Sequence, residues 1–171
     1  MKTAPPNVKF KQDTFCSYCG SQFTEQALWP RKCFTCWNES YKNPAPVVVA
    51  LVPVGNGLLI EERNIEPGKG GWALVSGYIN NKETWQQAAS RELLEEVGLV
   101  SDPDNYNLSD IYLSDNKANI LIVGKYAIPY HEKDLVFVPN EEVSEINIIY
   151  HPIEMIFPSH TKMVQKFFER I

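Results

Sequence analysis

The chain has 171 residues, of which 44% are hydrophobic and 22% are charged, as is typical of a globular protein. This length allows one well-packed domain and a small additional unit. The net charge of −5 is unevenly distributed, because residues 1–45 hold six Lys/Arg and three Asp/Glu, which leaves −8 on the rest of the chain. An acidic main part disfavours nucleic acid as a partner, since nucleic-acid binding requires a basic surface.

The sequence indicates neither a membrane span nor a secretory signal. The longest apolar run, residues 47–54, contains Pro53 and is far shorter than the roughly 20 residues that a spanning helix needs. The first twelve residues have no apolar segment of the kind that a signal peptide requires. We therefore expect no membrane partner and a cytoplasmic location.

All four cysteines lie near the start of the chain, as two C-x-x-C pairs separated by thirteen residues: Cys16, Cys19, Cys33 and Cys36. Two such pairs suit tetrahedral coordination of Zn²⁺ by thiolates, and Gly20 fits the bend that follows the first pair. Disulfides would need an oxidising compartment, and a redox-active pair would not need a second pair at this spacing. We predict a zinc ribbon in which structural Zn²⁺ supplies much of the folding energy.

The segment after Cys36 is polar and contains two prolines, so it is interpreted as a linker. We place the boundary so that residues 1–43 form the zinc ribbon and linker, and residues 44–171 form the main domain.

The main domain begins with β-rich segments. Residues 46–54 and 58–63 flank Gly55-Asn56-Gly57, which predicts a β-hairpin, and Pro53 favours an edge position or a bulge. A further β-rich patch covers residues 70–79. Residues 83–97 contain no Gly or Pro and are rich in helix formers, so they predict a helix that ends at Gly98.

The rest of the domain predicts three strands, at 108–113, 120–126 and 146–151, and a final helix at 160–169. Mixed strands with a central and a terminal helix indicate an α/β or α+β sandwich.

The central helix carries an acidic cluster beside its apolar stripe. At 100° per residue, Glu92, Glu95 and Glu96 occupy an arc of roughly 100°. A solvated helix face would normally interleave cations four residues apart, but only Arg91 and Glu95 form such a pair. The cluster also suits a hard divalent cation, because Mg²⁺ prefers carboxylate and water oxygens. Helix geometry alone leaves both interpretations open.

The segment 77–99 resembles the Nudix box. The matching positions are Gly77, Glu83, Arg91-Glu92-Leu93, Glu95-Glu96 and Gly98-Leu99. The resemblance implies a Nudix α/β/α sandwich with a mixed sheet over about residues 45–171. It also implies hydrolysis, dependent on Mg²⁺ or Mn²⁺, of the diphosphate bond in a nucleoside diphosphate joined to another group.

The resemblance also assigns roles by matched position. Glu95 and Glu96 correspond to the main metal carboxylates, with the backbone carbonyl of Gly77 near the metal. Glu92 corresponds to a further metal ligand or the general base. Arg91 and Glu83 correspond to an ion pair that braces the loop and orients the carboxylates.

Two positions depart from the family pattern. Val75 and Ser76 stand where family members often have a proline and a second small residue, and Lys82 precedes Glu83 where glycine is common. Both changes bear on the shape of the loop and hence on substrate placement.

A zinc ribbon before a Nudix domain is similar to the arrangement in NADH, FAD and ADP-ribose pyrophosphatases. The signature of the NADH branch, S-Q-P-W-P-F-P-x-S, does not occur after the box, which favours a dinucleotide or ADP-sugar substrate. The alternatives are removal of a nucleotide cap from RNA, with the ribbon as RNA contact, and a non-catalytic nucleotide-binding regulator. The isomerase branch of the family employs a catalytic cysteine, and every cysteine here belongs to the ribbon.

Several residues outside the metal cluster are weaker candidates. Candidate substrate contacts are Arg63 for phosphate, with a plain strand-end position as its alternative, and Trp72 and Tyr78 for stacking on a base, with packing as the equal alternative for both rings. Glu142 or Glu145 could add a metal carboxylate, whereas three isolated histidines suggest no ligand or base: His131, His151 and His160. A homodimer is possible, since many relatives are dimers.

Overall fold

The computed structural model describes residues 13–24 and 28–169. These residues fall into two compact units, one ending at Asn43 and the other beginning at Pro44. No helix in the described part of the chain is long and apolar enough to cross a bilayer.

The first unit is built around two similar cysteine turns. The N–H of Gly20 donates to the carbonyl of Cys16 at 3.0 Å, and the N–H of Trp37 donates to that of Cys33 at 2.8 Å. A short antiparallel pair, β1 (Arg31–Lys32) and β2 (Glu39–Ser40), completes the unit. Its buried apolar cluster comprises only Cys16, Phe23 and Cys33 among the described residues, so apolar packing contributes little to its stability.

The second unit contains two sheets and two helices. Its elements are β3 (Ala45–Leu51), β4 (Pro53–Val54), β5 (Gly57–Arg63), β6 (Trp72–Ala73), β7 (Ser76–Tyr78), α1 (Trp85–Glu92), β8 (Tyr106–Leu113), β9 (Asn119–Tyr126), β10 (Val143–Ile149) and α2 (Pro158–Glu169). One sheet has the order β7-β3-β9-β8, in which β3 and β9 are parallel and the other neighbours antiparallel. In the other sheet, β5 pairs with β10 on one side and with β4 and β6 on the other.

Strand β3 is covered on both faces, which creates the layered sandwich. Val48 and Ala50 pack in the cluster that includes the apolar side of α1. Val49 and Leu51 alternate with them and pack in the cluster that includes α2. The predicted mixed sandwich with a central and a terminal helix is confirmed.

The predicted long hairpin is wrong in its extent. Strand β3 pairs with β7 and β9, and only the two residues of β4 pair with β5, with Val54 opposite Gly57. The chain changes sheets at Val52, and Pro53 then lies in an edge strand. The patch 70–79 divides in the same way, because β6 pairs with β5 whereas β7 pairs with β3.

The central helix begins later than predicted and changes its pitch. Thr84 is the N-cap: its side chain accepts from the N–H of Gln87, whose side chain accepts from the N–H of Thr84. From Leu93 to Val97 the helix becomes a π-helical turn, which ends at Gly98 with φ 80°. The 3.6-residue projection therefore holds only as far as Glu92. The final helix begins at Pro158, two residues earlier than predicted, as suits a proline in a first turn.

Candidate active site

An open cleft of about 860 Å³ lies in the second unit. This volume is within the range of small-molecule sites, ~300–1,000 Å³. Its lining includes five of the positions that match the box, namely Gly77, Arg91, Glu92, Glu95 and Glu96. The structure therefore brings the predicted acidic cluster to the wall of a cleft rather than to an open surface.

Arg91 connects the box loop to the helix. Its Nε and Nη2 donate to the two carboxylate oxygens of Glu83 at 2.8 and 3.0 Å, and Nη2 also donates to the carbonyl of Tyr78 at 2.9 Å. Glu83 in turn accepts from the N–H of Asn80 at 2.9 Å. The hydrogen bond from Arg91 lowers the pKa of Glu83, so this carboxylate is ionised and the fork–fork pair fixes the end of the loop.

The same guanidinium also contacts two acids of the cluster. Nη1 of Arg91 donates to Glu92 at 2.6 Å and to Glu95 at 2.9 Å. The Glu92 side chain is 11% exposed and that of Glu95 58% exposed. Arg91 therefore balances part of the acidic charge and holds these two carboxylates in place.

Glu96 is the most deeply buried of the three clustered acids, at 4% exposure. Its Oε2 accepts from the backbone N–H of Ser76 at 3.1 Å, which ties the π turn to β7. The next residue on β7, Gly77, lies directly beneath Glu92, because a Cβ there would lie only 1.9 Å from Oε1 of Glu92. A residue without a side chain is needed at this position for the helix to approach the strand.

Asn140, which the sequence did not single out, links a distant loop to the π turn. Its Nδ2 donates to the carbonyl of Glu96 at 3.0 Å, and its Oδ1 accepts from the N–H groups of Glu142 and Val143. These bonds hold the start of β10 against the acidic helix. As a result Glu142 lines the cleft, whereas Glu145 is exposed on β10 and does not line it.

The surroundings of the acidic wall disfavour the charged form of its buried carboxyls. Burial raises the pKa of Glu92, and burial together with the neighbouring Glu61 raises the pKa of Glu96. Glu61 lies behind the wall, 1% exposed, and its Oε2 has no hydrogen-bond partner. Buried carboxyls with unsatisfied oxygens suit a hard divalent cation that keeps some of its own water, so these residues fit Mg²⁺ or Mn²⁺.

The four cysteines of the first unit fit a zinc ion. Their Sγ atoms all lie within 4.8 Å of one another, and the separations of Cys16 from Cys36 and of Cys19 from Cys33 are 3.7 and 3.6 Å. Tetrahedral Zn–S bonds of about 2.3 Å place sulfurs roughly 3.8 Å apart, whereas a disulfide requires about 2.05 Å. Backbone N–H groups of Cys19 and Tyr18 lower the pKa of Cys16 to about 6, which favours the thiolate.

The structure separates the three candidate substrate contacts. Arg63 and Tyr78 line the cleft, whereas Trp72 is absent from its lining and packs against the cluster that contains α2. Arg63 donates from Nε to the carbonyl of Pro67 at 2.9 Å, and its guanidinium lies 5.3 Å from the ring centroid of Phe157. These contacts hold the arginine at the rim of the cleft.

The histidines differ in their surroundings. His131 and His151 are exposed. His160 is buried and lines the cleft, and its Nδ1 accepts from the N–H of Leu74 at 3.1 Å. That bond joins α2 to the segment between β6 and β7, so His160 has a structural task.

Lys82 explains one departure from the family pattern in physical terms. Its φ is 68°, in the left-handed region that glycine adopts without penalty. The loop keeps the glycine-type conformation, and the lysine is strained by roughly 1–2 kcal/mol.

Together, the layered fold and the cleft-lining box define a Nudix domain. The NUDIX domain model matches residues 42–169, and the chain belongs to this family. Among curated proteins, it is similar to the NAD-capped RNA hydrolase NudC of Edwardsiella ictaluri, with 31% identity over 91 residues, which are 53% of this chain and 35% of that protein. The corresponding NudC of Salmonella typhi is 26% identical over 91 residues, with the same coverage of 53% and 35%. The chain thus spans about a third of the length of these curated relatives.

Solved structures show the same fold. A NUDIX hydrolase from Nitrosomonas europaea superposes with a TM-score of 0.71 at 23% identity, covering 92% of this chain and 91% of that one. A bifunctional NMN adenylyltransferase/ADP ribose pyrophosphatase from Francisella tularensis, complexed with AMP and a manganese ion, has a TM-score of 0.64 at 22% identity, covering 76% and 42%. The NUDIX domain of Shewanella oneidensis NrtR, complexed with ADP ribose, has a TM-score of 0.60 at 16% identity, covering 76% and 90%.

Proposed function

We propose that the chain hydrolyses the diphosphate linkage of a nucleoside diphosphate conjugate of the FAD, ADP-ribose or NADH type and releases a nucleoside monophosphate. One observation carries this proposal: the buried carboxylate of Glu96, tied to β7 beside Gly77, lies in the acidic wall of a nucleotide-sized cleft. Family membership and structural neighbours complexed with AMP or ADP ribose support it.

The box residues have distinct tasks in this proposal. Glu95, Glu96 and the carbonyl of Gly77 hold Mg²⁺ or Mn²⁺, and Glu92 serves as a further ligand or as the base. When bound, the metal makes a water nucleophilic and offsets charge on the leaving phosphate. Arg91 positions the carboxylates, because it bonds to Glu92 and Glu95 in addition to the loop.

Two other residues of the cleft lining suit the nucleoside or the second phosphate. Tyr78 is 60% exposed and offers an aromatic face on which a base can stack. Arg63, held by its contacts with Pro67 and Phe157, can bind a phosphate oxygen. These two residues are the proposed substrate contacts. Trp72 is not among them, because it packs against the core.

A product assay tests the proposal. The protein is incubated with FAD, NADH, ADP-ribose or a diadenosine polyphosphate in excess Mg²⁺, and the products are identified. AMP from one substrate class names the activity, and Glu96→Gln should abolish it. Glu145→Gln is the matched control, because it removes the same charge outside the cleft. Tight nucleotide binding without product would instead indicate a regulator.

Removal of a nucleotide cap from RNA is a second candidate, favoured by the names of the curated relatives and by the surface of the first unit. That unit exposes the rings of Phe34 and Trp37 by 77% and 66%, and Nζ of Lys32 lies 5.4 Å from the Trp37 ring centroid. Exposed rings beside cations are typical of single-strand binding. Phe34→Ser should then lower turnover of a capped RNA while turnover of the free dinucleotide stays constant. Equal effects on both would exclude this candidate.

A further inference from the structure

A carboxylate behind the box acids is explained neither by the box nor by the cleft lining. Glu61 lies in the middle of β5 and follows three residues that are at most 1% exposed. Strand alternation places it on the same face as Leu59, which packs in the cluster that contains α1, Leu93 and Val97. The side chain of Glu61 is therefore directed towards the helix that carries the acids.

The surroundings of Glu61 leave one of its oxygens unsatisfied. Its carboxyl is a close neighbour of that of Glu96, whose pKa it helps to raise. Oε2 is fully buried and has no hydrogen-bond partner, and Glu61 forms no ion pair within residues 13–24 and 28–169. The cation of Arg63, two residues further along β5, is directed to Pro67 and Phe157 instead.

Two adjacent buried carboxyls are unfavourable unless a proton or a cation is shared between them. Buried acidic groups in proteins are found paired, hydrogen-bonded or coordinated to a metal, and the described residues supply Oε2 of Glu61 with none of these. An apolar side chain would fill the position without the desolvation of a charge, as it does at Leu59 two residues earlier. A shared proton would join the two carboxyls but leave Oε2 of Glu61 without a partner, whereas a bound cation would satisfy both carboxyls at once.

We propose that Glu61 is a further carboxylate ligand of the metal centre and that it shares a divalent cation with Glu96. The inference rests on the proposed function, since both use Glu96 as a metal ligand. It adds a ligand from β5, so that the sheet and the helix hold the ion together. It also places this ion deeper in the domain than Glu95, whose side chain is 58% exposed.

Manganese binding in the absence of nucleotide tests this inference directly. Mn²⁺ is titrated into the full chain. Binding is measured by calorimetry or by the loss of the electron paramagnetic resonance signal of free Mn²⁺. Glu61→Gln retains the shape and removes the charge. We expect Mn²⁺ to bind at least ~10-fold more weakly, since the loss of a residue that only orients a ligand already costs about 10–100-fold. Glu61→Leu, which removes both oxygens, should weaken binding at least as much.

The matched control is Glu62→Gln on the same strand. Glu62 points to the other face, where its carboxylate accepts from Oγ of Ser144 at 2.6 Å. This variant should bind Mn²⁺ as tightly as the wild type does. An equal loss of Mn²⁺ affinity in Glu61→Gln and Glu62→Gln would mean that the affinity depends only on the net charge of the domain. That result would overturn the assignment.

Thermal unfolding separates a metal ligand from a structural residue. Without metal, Glu61→Gln and Glu61→Leu should melt no lower than the wild type, because they remove one of two adjacent buried carboxyls, and Mn²⁺ should raise their melting temperature less. Lower melting without metal and unchanged Mn²⁺ affinity would overturn the inference.

The two proposals fail in different ways. Nucleotide hydrolysis by the wild type, with unchanged Mn²⁺ affinity in Glu61→Gln, removes Glu61 from the metal centre and leaves the proposed function intact. Mn²⁺ binding that depends on Glu61, without hydrolysis of any conjugate, leaves Glu61 as a ligand and refutes the proposed function.

Discussion

Gly77→Ala adds a single methyl group at the point where β7 and the acidic helix approach most closely. A Cβ there would lie 1.9 Å from Oε1 and 2.0 Å from Cδ of Glu92. Ordinary contacts begin at 3.4 Å, so the carboxylate must retreat by about 1.5 Å, the difference between 3.4 and 1.9 Å, or β7 must move. The φ of Gly77 lies outside the left-handed region, so the substitution tests space rather than backbone strain.

We expect this retreat to affect catalysis more than folding. A displacement of about 1 Å in a catalytic group can lower the rate about 100-fold, so kcat of Gly77→Ala should fall by about that factor. Alanine keeps the backbone carbonyl of residue 77. A fall in kcat would therefore report the displacement of Glu92 and not the loss of a backbone ligand. The assay is AMP release from the preferred conjugate at saturating Mg²⁺ and substrate.

Two further variants make the result interpretable. Gly124→Ala places a Cβ 2.6 Å from a ring carbon of Trp85, outside the cleft, and should lower the melting temperature without a comparable loss of kcat in the folded protein. Glu92→Asp in the Gly77→Ala background shortens the obstructing side chain and should restore part of the activity. A Gly77→Ala enzyme with wild-type kcat would refute the claim that Glu92 must lie over β7.

Three other predictions concern charge, pH and zinc. Glu96→Gln should lower turnover by ~100-fold or more, since metal-assisted charge stabilisation is worth several kcal/mol, while circular dichroism shows an intact fold. Burial lowers the pKa of His160 to about 4 from 6.5. The unfolded chain therefore binds the proton more tightly, so about 3 kcal/mol of stability is lost as pH falls from about 6.5 to about 4. His160→Gln should lack this loss; urea unfolding at several pH values measures the difference, in which the carboxylate contributions cancel. Cys33→Ser should abolish stoichiometric zinc binding, measured by metal analysis, and unfold the first unit; retained zinc at one equivalent would contradict tetrahedral coordination by the four cysteines.

The parts of the site that depend on local spacing could be predicted from the sequence. The acids of the helix, the cap at its end and the cysteine turns are each determined by residues within one or two turns of chain. The π turn could not be predicted in this way, because its carbonyl at Glu96 is bonded by Asn140 from 44 positions away. A side chain at that distance leaves no periodic signal near the helix.

The sheet assignment shows the same limitation. A run of β-branched residues has the same sequence pattern whether it forms one continuous strand or two strands in different sheets. Here the chain passes from one sheet to the other at Val52. Trp72 is near the box in sequence, which suits base stacking and core packing equally. It lies on β6, which pairs with β5 and directs the ring to the cluster that contains α2. Contacts between strands, rather than sequence distance, decide which side chains reach the cleft.

The burial of Glu61 leaves no signal in the sequence for a related reason. The segment Leu58–Arg63 looks like an apolar strand that ends in solvated charges, yet β5 lies at the centre of its sheet, between β10 on one side and β4 and β6 on the other. Its end is covered by the acidic helix, and Glu61 is as buried as the leucines before it. Only the position of the strand in the sheet distinguishes a surface charge from a buried one.

The acids around the cleft separate into two groups according to how their charge is balanced. Arg91 forms ion pairs with Glu83, Glu92 and Glu95, so these three are stabilised by the protein itself. Glu61 and Glu96 form no ion pair within residues 13–24 and 28–169, and burial raises the pKa of both. A divalent cation stabilises carboxyls most where no protein cation is paired with them, so metal should bind first at the deeper pair. Arg91 would then need to release Glu95 only when a second ion or a phosphate enters, because that carboxylate is the most exposed of its three partners.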